Sequence, residues 1–145
     1  MANRVMPFLR LAVLCHNIER DELQRPVALI DPLHTITLSP VVFGQQLTAM
    51  YLYAQMEDAV GTFEFSVRIE DENREPIAQP TLAGIEHTFE GGGPERIIPF
   101  EMTLRLSGLV LPSPGVYYFI IRADTTSLHQ RESAARAPLL RVLSL

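Results

Sequence analysis

The chain of 145 residues has one cysteine, Cys15, so no intramolecular disulfide can form. A reducing compartment is the natural setting for such a chain, and the sequence reads as cytoplasmic. No stretch approaches the ~20 consecutive apolar residues of a membrane span, which argues against a membrane partner. The start, Met1 to Cys15, resembles a lipoprotein leader only superficially. Arg10 interrupts the apolar run, and Leu14 is bulky where cleavage needs a small residue. No Lys or Arg run forms a stripe, and 12 basic against 17 acidic residues give a formal net charge of −5. Nucleic acid is therefore not an expected partner. Motifs of common catalysis are missing too: there is no Gly-x-Ser-x-Gly elbow, no His-Glu-x-x-His and no Walker A loop.

What is present is a globular composition, 47% hydrophobic and 20% charged. A mean hydropathy of +0.12 is high for a soluble monomer and hints at oligomerisation. The clearest pattern runs from Thr62 to Glu70, where Phe63, Phe65, Val67 and Ile69 alternate with polar residues. A period of two predicts a strand with one dry and one wet face. Phe100, Met102, Leu104 and Leu106 repeat it, while Leu47 to Met56 and Thr81 to Phe89 are weaker strands, the latter interrupted at Gly84. Three segments are apolar on both faces: Leu9 to Cys15 apart from Arg10, Val27 to Ile30, and Val116 to Ile121. In an antiparallel sandwich such strands need extra cover, from a neighbouring element or another chain. Pro138 to Leu143 is placed beside the last of them.

The 11 prolines suit strand ends and turns better than helices. Ser127 to Arg136 reads either as one short helix with a Ser-x-x-Gln capping box or as a loop. Counting turn to turn predicts an all-β fold, a two-layer antiparallel β-sandwich of about seven or eight strands, as one domain over residues 1–145.

The stretches LAVLCHNIERD, RPVALIDPLHTITL, GTFEFSVRIEDENREPIAQ and LPSPGVYYFIIRAD with APLLRVLSL give the chain a pattern. It resembles an uncharacterised bacterial family of small β-sandwich domains with immunoglobulin-like features. The resemblance implies a fold, no activity and no site residues.

Candidates for chemistry are few. Cys15 and His16 are adjacent, so in a strand they point to opposite faces and cannot act as nucleophile and base. His16, His34, His87 and His129 lack the paired spacing of a zinc site. Gly91 to Gly93 leads into Pro94 and a strand, not into the helix N-terminus of a phosphate cradle. No enzyme, metal or cofactor is expected. The leading expectation is a structural or protein-interaction domain acting as a homo-oligomer, a dimer, or binding another protein. Its candidate interface residues are Tyr51, Tyr53, Tyr117, Tyr118 and Phe119, since tyrosine joins a large apolar body to a polar tip. The alternative is a sandwich that binds a sugar, peptide or metal ion with loops at one charged end. Alternating returns of consecutive strands would gather Asp21, Glu22, Glu57, Asp58, Glu90 and His129 there.

Overall fold

Alternation becomes structure most directly in strand β5, Gly61–Glu70. Its residues Phe63, Phe65 and Ile69 are buried while Glu64 stays exposed. The computed structural model describes residues 4–47, 49–77, 85–90, 100–128 and 136–145. Nine further strands are seen there: β1 Phe8–Arg20, β2 Pro26–Pro32, β3 Thr35–Leu38, β4 Met50–Glu57, β6 Ile85–Phe89, β7 Phe100–Leu106, β8 Gly115–Ala123, β9 Thr126–Ser127 and β10 Leu139–Ser144. A single 3-10 turn, Pro40–Val42, is the only helical element among the described residues.

The strands form two sheets, one of four in the order β2-β1-β4-β7 and one of six in the order β3-β10-β8-β5-β6, with β9 paired to β8. All pairings are antiparallel except β3 with β10. Side chains from both sheets share one core, including Leu14, Leu52 and Met102 from the smaller sheet and Phe63, Phe119 and Leu140 from the larger. This is the expected all-β sandwich. Before β8, the Tyr117 hydroxyl donates to the Ser113 carbonyl at 2.6 Å, tying the strand to the turn that leads into it.

The register fixes which loops share an end. Phe8 pairs with Glu57 and Cys15 with Tyr51, so β1 ends where β4 begins. The hairpin at Asp21 to Arg25 therefore lies at one end, called the upper end, with the turn after β5 and the approach to β8. Glu57 and Asp58, Glu90 after β6, and Asp124 after β8 lie at the lower end. Arg4 also lies there, with Val5 bridged to Val60.

Two expectations about strands need correction. The stretch read as Val27 to Ile30 is followed by a second strand: β2 runs to Pro32, past Asp31 with its positive φ of 50°, and the chain then bends through Leu33 and His34 into β3. That bend sends β3 into the other sheet and adds one reversal of the chain. Ser127, expected to begin a helix or loop, lies in β9 instead, in register with Arg122 of β8; the remaining positions of that reading, apart from Leu128 and Arg136, lie outside the described residues. Gly84 and the Gly91 to Gly93 loop also fall outside them.

Candidate functional site on the four-stranded sheet

In β4, Leu52, Ala54 and Met56 enter the core. Tyr51, Tyr53 and Gln55 must then point outward, since successive side chains alternate. Pairing with β1 and β7 lays out three rows on this outer face: Leu11, Gln55 and Glu101; Val13, Tyr53 and Thr103; Cys15, Tyr51 and Arg105. A β-bulge between Leu9 and Leu11 lets Leu9 fill the core while Leu11 turns outward and stays 39% exposed.

The centre of this face forms its own small apolar cluster. Cys15, Ile18 and Tyr53 are buried, with Leu29 and Tyr51 packed against them. Tyr53 is only 6% exposed and its hydroxyl accepts from Gln55 Nε2 at 2.8 Å. Burial pushes the Tyr53 hydroxyl above its ordinary ionisation range; the Gln55 hydrogen bond opposes this, and the Glu101 carboxylate adds to it. Burial also raises the Cys15 thiol, whose Sγ lies 3.8 Å from the Tyr51 carbonyl. A thiol held protonated is a poor nucleophile. His16 lies away from it, lining a cleft of about 480 Å3 with Leu33, Ile36, Leu38 and Met50 between the two sheets.

The five interface candidates are not brought together. Tyr51 and Tyr53 share the face just described. Tyr117 and Phe119 point into the core, Phe119 with no exposure at all. Tyr118 lies on the outer face of the six-stranded sheet, with the Arg74 guanidinium 3.8 Å above its ring. Consecutive residues of one strand cannot line one patch, so Tyr117 and Phe119 leave the candidate interface.

The charged loop end also divides. Glu57, Asp58 and Glu90 remain together at the lower end, but Asp21 and Glu22 lie at the upper one; His129 is outside the described residues. The extra reversal between β2 and β3 is the cause. Asp21 instead finds a counterpart in Asp71 of the turn after β5. Each carboxylate accepts two backbone N–H groups two and four residues on, from Leu23 and Arg25 and from Asn73 and Glu75. Gln24 and Arg74 take the same φ of 63°. DELQRP and DENREP are thus one turn used twice, with both carboxylates occupied in holding it. Among the described residues no three of His, Cys, Asp and Glu gather as metal ligands.

The residues that the sequence reading missed on the candidate face are Leu11, Val13, Glu101 and Arg105. Glu101 and Arg105 had a local signal in the alternation of FEMTLRL; Leu11 and Val13 did not, because the bulge after Leu9 decides which face they take.

Two facing sheets around one apolar core define a small β-sandwich domain. The chain belongs to a family of unknown function (DUF6941), whose model matches residues 10–133. The match spans β1 to β9 and stops before β10. No curated protein matches the chain. No helix among the described residues is long and apolar enough to cross a membrane.

Proposed function

We propose that the domain is a non-catalytic interaction module that works as a homodimer through the outer face of its four-stranded sheet. One observation carries this reading. The apolar centre, Val13 with Tyr53, lies between Glu101 on one side and Arg105 on the other along β7. A two-fold axis parallel to the sheet, running along the Val13-Tyr53-Thr103 row, brings the two outer faces together and sets Glu101 of each copy against Arg105 of the other. The face is thus complementary to itself, as a two-fold contact requires.

Four strands ~4.8 Å apart and about seven residues at ~3.3 Å each give a face of roughly 20 by 23 Å. That is small against the ~800 Å2 per partner of a standard interface, so the dimer should dissociate within the micromolar range. The buried, protonated Cys15 and its separation from His16 support a role without catalysis, and a lone buried cysteine suits the cytoplasm. The topology supports an immunoglobulin-like arrangement as well. The order β6-β5-β8-β10 follows C′-C-F-G, β4 beside β7 follows B-E, and Tyr117 closes a corner at strand F.

Sedimentation velocity across micromolar concentrations tests the proposal. The wild-type chain should shift from monomer to dimer. Arg105→Glu should hold it as a monomer by placing like charges across the axis, and Glu101→Arg combined with Arg105→Glu should restore the dimer. A wild-type monomer at every concentration would sink the reading, as would a double variant no better than the single one.

A further inference from the structure

The outer face of the six-stranded sheet carries a second concavity, independent of the dimer face. A depression of about 430 Å3 is lined by Arg68, Glu70, Arg74 and Arg122, with Thr125 to Ser127 along one rim and Ile120 in its floor. Glu70 is the acid within it: Oε2 lies 3.0 Å from Arg68 Nε, and Oε1 lies 3.8 Å from Arg74 Nη1. Arg122 donates to a neutral acceptor, the Thr125 carbonyl, at 3.2 Å. Among the described residues it makes no ion pair, not even with Glu64, the next acid along β5.

Three guanidinium groups against one carboxylate leave a surplus of two positive charges. This stands out on a chain of net charge −5. Arg68 pairs in register with Ile120, and Arg122 with Ser66, so the two arginines are diagonal neighbours on adjacent strands. Such neighbours lie ~7–8 Å apart, close enough to repel and close enough to share one bound anion. The chain contains no lysine, and all 12 of its basic residues are arginine. Planar forks of that kind match the oxygen pairs of a phosphate better than point charges do.

We propose that this depression binds a small molecule carrying a dianionic oxyanion, a phosphate monoester by chemical class. Arg68 and Arg122 hold the phosphate, Arg74 adds charge from beyond Glu70, and the hydroxyls of Thr125 to Ser127 face the organic part. The volume falls in the ~300–1,000 Å3 range of small-ligand sites. A surplus of two charges in one depression suits a single dianion, whereas a polyanion needs a basic stripe.

Isothermal titration calorimetry on the full chain tests this, with inorganic phosphate, glycerol phosphate and chloride at matched ionic strength. Both phosphates should bind saturably and chloride should not, with glycerol phosphate the tighter. Arg68→Gln and Arg122→Gln should each weaken binding about tenfold or more, the loss of one charge-assisted hydrogen-bonding group. Arg122→Lys, which keeps the charge and much of the cover over Ile120, should still lose several-fold. Arg20→Gln, at the end of β1 on the other sheet, should leave binding unchanged. The proposal is overturned if no phosphate binds, or if chloride competes equally. Unchanged affinity in the Arg68 and Arg122 variants would also overturn it, as would free phosphate binding as tightly as glycerol phosphate. Tighter binding of a polyglutamate peptide would replace the small molecule with a protein partner.

Discussion

Both sheets carry apolar side chains on their outer faces, and the two faces resolve the same problem differently. On the larger sheet, Tyr118 and Ile120 of β8 meet long charged side chains on the β5 side, while Tyr118 has Leu139 of β10 on the other. Arg68 is directly opposite Ile120 and Glu70 directly opposite Tyr118, while Arg74 reaches back over the Tyr118 ring. The arginine stems cover hydrocarbon while their heads stay in water, and Ile120 is left only 6% exposed. On the smaller sheet, Tyr53 has Val13 and Thr103 for neighbours. Tyr53 is as closed as Ile120, at 6% exposure, but what closes it is Cys15, Tyr51 and Gln55 packed alongside rather than charged stems, and Leu11 at the edge stays open. An outward apolar strand is therefore not yet an interface. What decides is the kind of side chain that closes it.

The comparison breaks most severely at Phe119, which the sequence groups with the tyrosines and the fold places in the core. Phe119→Ala should destabilise the domain by about 3–5 kcal/mol in urea unfolding, the cost of deleting a buried aromatic. Tyr51→Ala, at the partly open face, should cost far less stability and should weaken dimerisation instead. If the two variants lost equal stability, Phe119 and Tyr51 would not be divided between core and outer face.

Arg74 tests the cover on the larger sheet. Its removal in Arg74→Ala takes away a cation–π contact and the lid over Tyr118, for an expected loss of about 0.5–1 kcal/mol at this exposed site. The same variant should bind more of an apolar dye, because the ring then faces water. Arg105→Ala, on the other sheet, covers no ring and should change dye binding little. Equal responses from the two would remove the distinction between a covered and an open face.

How much of this was legible in the sequence depends on the distance over which the information runs. The period-two patterns of β5 and β7 are local, and both strands appear where the pattern puts them. The alternation that separates Tyr117 and Phe119 from Tyr118 is equally local, and treating the run Val116 to Ile121 as one apolar surface overlooked it. Asp31-Pro32 was also visible, yet the bend that follows it was not, since the course of the chain there depends on the fold it joins. One missed reversal there moved Asp21 and Glu22 to the other end of the molecule. The arginine cover was beyond reach, because it rests on a register between β5 and β8, strands about fifty residues apart.

The smallest expected effect separates the buried centre of the four-stranded face from the carboxylates of the loops by pH. Cys15 and Tyr53 both have ionisations raised by burial on the four-stranded sheet. An acid whose folded pKa is raised favours the fold while neutral, and that contribution is lost as pH rises from the unfolded value through the folded one. Unfolded cysteine and tyrosine ionise near pH ~8.5 and ~10, so stability should begin to fall above pH ~8.5 and fall further beyond ~10. Asp21 and Asp124 act in the opposite sense. Backbone hydrogen bonds and the paired Arg25 and Arg4 hold their carboxyls below the ordinary range, so their stabilisation is present above pH ~4 and is lost as pH falls through the lowered values. Cys15→Ala and Tyr53→Phe should therefore flatten the alkaline limb of thermal unfolding followed against pH and leave the acid limb unchanged. An alkaline limb as steep in the double variant as in the wild type would show that these two groups do not govern it, and the buried centre of the four-stranded face would lose its expected thermodynamic signature.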